Sequence, residues 1–177
     1  MRIRFGSMEM EIERAAAGDA PGIVGMRRAA EEWLARQGIW QWPPGLLTST
    51  QVEAQIATHE WYVARAPDGR LAGAFRLLWS DPRVWRERDA FAAYVHGLMT
   101  DRTFAGAGVG ARILAWVADR AREKGAGMVR LDCVANNPRL RQYYVDLGFN
   151  EVGRHKLDER WTAVLLERRL LRDEARC

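Results

Sequence analysis

The stretch TFAGAGVGARIL, residues 103–114, decides how this chain of 177 residues is read. Glycines and alanines fill residues 105–111 on both sides of Val109, and an amphipathic run follows. Glycine loses more backbone freedom on folding than any other residue, so a cluster of this kind is costly to order. A tight turn alone accounts for one or two glycines. Three at alternate positions, at the mouth of a helix, imply that something approaches the backbone closely. A helix start presents unpaired N–H groups and partial positive charge. Together these make a phosphate site.

Working outward from that loop, the hydrophobic periodicities set the remaining elements. Residues 8–15, MEMEIERA, alternate with period two and read as a strand. Asp19 with Pro21 opens a helix whose apolar positions run through Met26, Ala30, Trp33 and Leu34 to Gly38. Paired prolines at 43 and 44 mark a loop, and the Thr50–Glu53 spacing predicts a capping box for a second helix. WYVARA (61–66), the turn PDGR and LAGAFRLLW (71–79) form a hairpin. Residues 80–90 read as a connector and 91–100 as a strand. The loop helix spans 109–124, stopped by Gly125, and a strand covers 128–135. A short helix runs from Pro138 to Gly148, and two last strands lie at 149–154 and 161–169. The order β-α-α-β-β-β-α-β-α-β-β predicts an α/β protein with a mixed sheet and helices on both faces.

Composition narrows the function classes. The chain is 48% hydrophobic and 28% charged, ordinary for a soluble globular protein. No apolar run approaches the ~20 residues of a membrane span, and no signal-peptide pattern opens the chain, so no membrane partner and a cytoplasmic location are expected. The net charge is +4, and only Lys124 and Lys156 are lysines. The arginines are interleaved with acids, as in WRERD (85–89) and LERRLLRDE (166–174), which reads as a solvated surface and not as a nucleic-acid stripe. Cys133, in a strand, and Cys177, at the end, form neither a disulfide framework nor a metal set, and no metal is expected. Residues 1–7 read as a vector remnant or a disordered start, 8–170 as one domain and 171–177 as a tail.

GAGVGA (106–111) also fits the dinucleotide fingerprint, with Asp132 downstream to hold a ribose. That reading is disfavoured, because residues 101–105 separate the glycines from the strand and a hairpin replaces the first crossover.

The loop, its helix, the next strand and NPRLRQYYVDLGF (137–149) together resemble the Gcn5-related N-acetyltransferases, the GNAT superfamily. The family's loop pattern, Arg/Gln-x-x-Gly-x-Gly/Ala, falls on Ala105, Gly108 and Gly110. Its second signature falls on Asn137, Tyr144, Gly148 and Phe149. The likeness extends over residues 8–170, since the element order is also the family's. Ala105 departs from the pattern, which expects arginine or glutamine, and nearby Arg102 or Arg112 is the candidate replacement charge.

The resemblance implies an enzyme that carries acetyl from acetyl-coenzyme A (acetyl-CoA) to a primary amine within a ternary complex, without metal. It implies that backbone at Ala105, Gly106, Ala107, Gly108, Val109 and Gly110 binds the pyrophosphate. Leu98, Met99 and Thr100 would pair with the pantetheine arm, a bulge near Gly97 would offer an N–H to the thioester oxygen, and Asn137 belongs to the same cofactor set. Tyr144 would protonate the departing thiolate. Tyr143, its neighbour, is expected to pack. His96 is the candidate base, since imidazole titrates near neutrality. Asp132 is the rival, with a surface or arginine-paired aspartate as the duller alternative. The acceptor would enter beside the first two helices, where Trp40 and Trp42 with Glu31 and Glu32 suit an apolar or cationic amine. Tyr94 is a further acceptor contact by its place beside His96, and Trp33 is expected in the core. A small-molecule amine is the expected acceptor. A peptide amine and a non-catalytic acyl-CoA sensor are the alternatives, and pairing through C-terminal strands into a homodimer is implied.

Overall fold

Alternation of charged and apolar side chains gives a first strand, β1 (Glu11–Arg14). The computed structural model that carries it describes residues 9–88, 90–156 and 159–170. There follow helices α1 (Ala20–Arg36) and α2 (Ser49–Ala57), and strands β2 (Trp61–Arg65) and β3 (Leu71–Leu78). A short helix α3 (Pro82–Trp85) precedes β4 (Ala93–Thr100) and α4 (Val109–Glu123). The chain continues through β5 (Met128–Val134), α5 (Pro138–Asp146), β6 (Asn150–Lys156) and β7 (Thr162–Arg169). The seven strands are ordered β1-β2-β3-β4-β5-β7-β6. β4 and β5 run parallel, with Ala93, Tyr94 and Val95 opposite Val129, Arg130 and Leu131. The pairs β1–β2, β2–β3, β5–β7 and β6–β7 are antiparallel. This is the mixed α/β sheet that the element order predicts. No helix among the described residues is long and apolar enough to cross a membrane.

Two local expectations need correction. The connector at 80–90 contains α3, because the Asp81 carboxylate accepts from the Val84 N–H at 3.2 Å and Pro82 fills the first helical position. The capping box of α2 lies at Thr48 and Gln51, not at Thr50 and Glu53. Thr48 Oγ1 accepts from Gln51 N–H at 3.2 Å, and Gln51 Oε1 accepts from Thr48 N–H at 2.9 Å. The choice follows from the apolar neighbours. Leu47, just before the cap, packs on the same cluster as Val52 in the first turn, a hydrophobic staple that sets where the helix begins.

Contacts gather the chain into two compact units. One comprises the chain up to Arg76 together with Gly97–Leu114, and the other Leu77–His96 together with the chain from Ala115 onward. In the first, Ile23 and Val24 of α1 pack with Val52 and Ile56 of α2 over Trp61, Val63 and Ala74. Full burial of a side chain such as Ile23 is worth about 1.5–3 kcal/mol. Gly73 lets the start of α4 close on β3. A Cβ there would stand 2.8 Å from Ile113 Cδ1 and 3.1 Å from the Met99 carbonyl oxygen. That contact sets the depth at which the glycine loop is held.

The second unit is organised around a buried ion pair. Arg130 on β5 and Glu167 on β7 face each other across the antiparallel register. The Arg130 Nε and Nη2 atoms lie 2.9 and 2.8 Å from Glu167 Oε2. Arg130 Nη1 donates to the Tyr94 hydroxyl at 2.9 Å and to the Arg88 carbonyl at 2.6 Å, and the guanidinium lies 4.5 Å from the Trp85 ring centroid. Each of the three guanidinium nitrogens therefore finds an oxygen partner, which is the condition for a buried charge to be tolerated.

Candidate active site

The glycine turn is built by the residues before it. Asp101 ends β4, and its carboxylate accepts from the Thr103 N–H at 2.7 Å and the Thr103 hydroxyl at 2.6 Å. The tight turn Arg102–Phe104 follows, and then Gly106 and Gly108 take φ of +82° and +70°. Gly106 has no atom within 4 Å of where a Cβ would stand, so backbone sign and not crowding demands glycine there. The helix α4 begins one residue later, at Val109.

Not every amide of the run faces outward. The Ala105 N–H donates to the Arg102 carbonyl and the Ala107 N–H to the Phe104 carbonyl, each at 3.1 Å. The expectation that the whole stretch 105–110 offers donors is corrected accordingly. The remaining donors include the first turn of α4, which helix geometry leaves without intrahelical acceptors. Of the candidate charges, Arg102 stacks over Trp33 at 4.0 Å, so Trp33 is a half-buried platform and not the core residue expected. Arg112 lines a cavity of about 770 Å³ with Arg65 and Gly69.

Upstream of that turn, β4 carries Gly97 with φ of +57°. A left-handed residue inside a strand is the signature of one class of bulge, which re-aims the amides beside it. Met99 is buried in the core, so it can offer a ligand only its backbone, while Leu98 and Thr100 are half-buried.

In the second unit the structure brings together residues that the sequence leaves apart. His96 on β4 has its Nε2 3.1 Å from Asp81 Oδ2 and its Nδ1 3.6 Å from Asp132 Oδ1. Among the described residues Asp132 is therefore not arginine-paired, and it is not a plain surface carboxylate. Burial pushes its carboxyl above the usual range, opposed by the nearby imidazole and reinforced by Asp81. Asp81 was missed by sequence reasoning. Its signal was the Asp-Pro pair that starts α3, which reads as a cap and says nothing of a histidine fifteen residues on.

Tyr144 is buried on α5 with its ring edge-on to Phe149 at 5.9 Å. Burial drives its phenol far above its ordinary value, with nearby ionisable groups adding to the shift, so the hydroxyl stays protonated. Tyr143, expected to pack, is 37% exposed instead. The helical turn puts the two rings on different faces, 5.6 Å apart. Asn137, assigned to the cofactor set by resemblance, uses its side-chain oxygen to cap α5 by accepting from Leu140 N–H at 3.1 Å. Cys133 is a buried thiol pushed up to about 12, chiefly by burial. Tyr94, expected beside the acceptor, is fully buried. Its hydroxyl bonds to both polar atoms of the Ala90 backbone and to Arg130, leaving no surface for a substrate.

The region after α1 holds a cavity of about 400 Å³ lined by Arg28, Glu31, Glu32, Trp40, Gln41 and Trp42, with Leu34, Ile39 and Pro44 as apolar wall. Trp40 is half exposed. Trp42 carries the Arg27 guanidinium 3.9 Å above its ring, and Arg27 in turn bonds Glu31 at 2.6 Å. Glu31 also accepts from the Gly45 N–H at 3.3 Å, tying the loop to the helix. Cys177 and the stretches 1–7 and 171–177 lie outside the described residues.

A family model described as the acetyltransferase (GNAT) family matches residues 27–149. The chain is 32% identical over 144 residues to the uncharacterized N-acetyltransferase YesJ of Bacillus subtilis (strain 168), spanning 76% of this chain and 78% of that protein. Among solved structures, a GNAT-family acetyltransferase of Listeria monocytogenes 4b F2365 superposes with a TM-score of 0.79 at 26% identity, covering 95% of this chain and 99% of that one. The protein yncA of Salmonella typhimurium, solved with its cofactor acetyl-CoA, gives 0.68 at 17% identity over 94% and 97% of the two chains. That last likeness shows the fold alone.

Proposed function

Because the chain belongs to the acetyltransferase (GNAT) family, we propose that it moves the acetyl group of acetyl-CoA onto a primary amine of a small molecule, by direct attack with both substrates bound. Acetyl-CoA supplies the activated thioester. The glycine turn fits its diphosphate, since Gly106 and Gly108 keep side chains away from the mouth of α4 and the first-turn amides carry the helix's positive end. In this reading the backbone at Leu98–Thr100 aligns the pantetheine arm. An amide re-aimed by Gly97 stabilises the thioester oxygen. His96 takes the amine's proton, and Tyr144 gives one to the leaving sulfur.

The observation that carries the small-molecule assignment is the ~400 Å³ cavity with Trp40, Trp42 and Glu32 on its wall. Its volume lies within the range of small-ligand pockets, and aromatic faces with a carboxylate suit a cation on an apolar body. A panel of small amines and of peptides, read as thiol release from acetyl-CoA, tests it. Amines with an apolar body should turn over fastest. Turnover confined to peptides would move the assignment to a protein acceptor, and no heat of acetyl-CoA binding at millimolar concentration would remove the transferase reading.

A further inference from the structure

The contacts of His96 say more than that it is a candidate base. Its Nε2 is enclosed, and the nearest acidic atom is Asp81 Oδ2 at 3.1 Å, itself enclosed. The two atoms approach as an ion-pair contact and not as an aligned hydrogen bond. On the other side of the ring, Nδ1 is 3.6 Å from Asp132 Oδ1, beyond hydrogen-bond length. An enclosed nitrogen cannot meet an acceptor amine. A carboxylate beside one ring nitrogen favours the proton there and leaves the lone pair on the other.

From this geometry we infer that Asp81 is a positioning residue which holds the His96 proton on Nε2, so that Nδ1 is the atom that accepts the amine's proton. The assignment rests on the transferase reading for its purpose but not for its geometry. As the acceptor's ammonium is engaged, one N–H bond breaks and the proton passes to Nδ1. The electron pair left on nitrogen forms the new bond to the acetyl carbon, while the C–S bond of the thioester breaks and the sulfur of coenzyme A leaves with its electron pair. The imidazolium that results is flanked by Asp81 from the connector and Asp132 from β5. His155 of β6 acts on Asp132 from beyond. Asp81 is held ready by its own surroundings. Its other oxygen, Oδ1, caps α3 by accepting from Val84 N–H at 3.2 Å, and Pro82 and the buried Trp85 anchor that turn. Asp81 thus joins a helix cap to an imidazole with one carboxylate.

Two measurements test the inference. Long-range nitrogen–proton correlation of the histidine-labelled full chain, with His96 identified by the signal lost in His96→Gln, reads the tautomer without any turnover. The neutral ring should be protonated on Nε2, and a ring protonated on Nδ1 would overturn the assignment. In Asp81→Asn, whose amide oxygen can still cap α3, the His96 signal should shift toward mixed tautomers. In the same variant kcat should fall about ten- to a hundredfold, with KM for acetyl-CoA unchanged and the acidic limb of the pH profile moved to lower pH. Asp81→Glu should restore part of kcat. An unchanged kcat and pH profile in a folded Asp81→Asn variant would also overturn the proposal. Should the wild-type chain acetylate nothing, the transferase reading fails while the tautomer result still stands or falls by itself. If Asp81→Asn does not fold, the wild-type spectrum decides.

Discussion

Tyr144 and Cys133 show what burial does to two ionisable side chains of the same unit. Burial pushes the Tyr144 phenol far above its ordinary range, so it carries its proton near neutral pH. Tyr144→Phe should therefore lower kcat by about 10²-fold with little change in KM, and the wild-type profile should show no alkaline loss belonging to a phenol. Steady-state kinetics from pH 6 to 10 check both. The Cys133 thiol, at about 12, is protonated and inert. In a Cys177→Ser chain, a thiol-reactive dye should find no sulfur until urea unfolds the protein. Asp132 makes a statement about stability. Its folded-state carboxyl is raised, so the folded chain holds that proton at a pH where the unfolded chain has lost it. Stability then falls as pH rises from the ordinary carboxylate range through the raised value. Asp132→Asn should flatten that fall in urea midpoints measured across the window.

At the scale of elements, the glycine turn is the part whose role can be weighed by one methyl group. Gly106 has open space around its missing Cβ and a φ of +82°, so Gly106→Ala meets only backbone strain. The left-handed conformation costs roughly 1–2 kcal/mol for an alanine, and calorimetry should show acetyl-CoA binding weakened about tenfold. A variant that binds as tightly as the parent would mean that the turn does not hold the diphosphate. The turn and its helix were legible from the sequence because glycine spacing and helical periodicity are local. So were the strands, whose alternation needs no partner. The capping box of α2 was placed two residues late because two overlapping spacings compete, and only the packing of Leu47 on the cluster that buries Val52 separates them. Tyr94 was misread for a different reason. Period two shows which face a side chain takes, but not that Arg130 and the Ala90 backbone wait there for its hydroxyl. Asp81 meets His96 only through tertiary folding, and no spacing encodes that meeting.

For the molecule as a whole, the buried ion pair of Arg130 and Glu167 is a point sensitive to mutation. Arg130 and Glu167 are each under a tenth exposed and bonded to each other, with Trp85 and Tyr94 completing the cage. Removing one partner strands the other, and such losses run at about 3–5 kcal/mol. Glu167→Leu should destabilise by that amount in chemical denaturation, whereas Glu167→Leu combined with Arg130→Met should recover much of it. A single variant as stable as the parent would show that the pair is not the anchor its burial implies.

The two compact units are each written in two separated instalments of the chain. On the ribosome this imposes a timetable. The first unit lacks the end of β4 and the opening of α4 until residue 114 has emerged. Ala93–Val95, translated earlier, must wait for β5 to supply its parallel neighbour. Nascent chains from which Thr100 has emerged but β5 has not should accordingly bind chaperones, since β4 then carries apolar residues along an edge whose parallel neighbour has yet to appear.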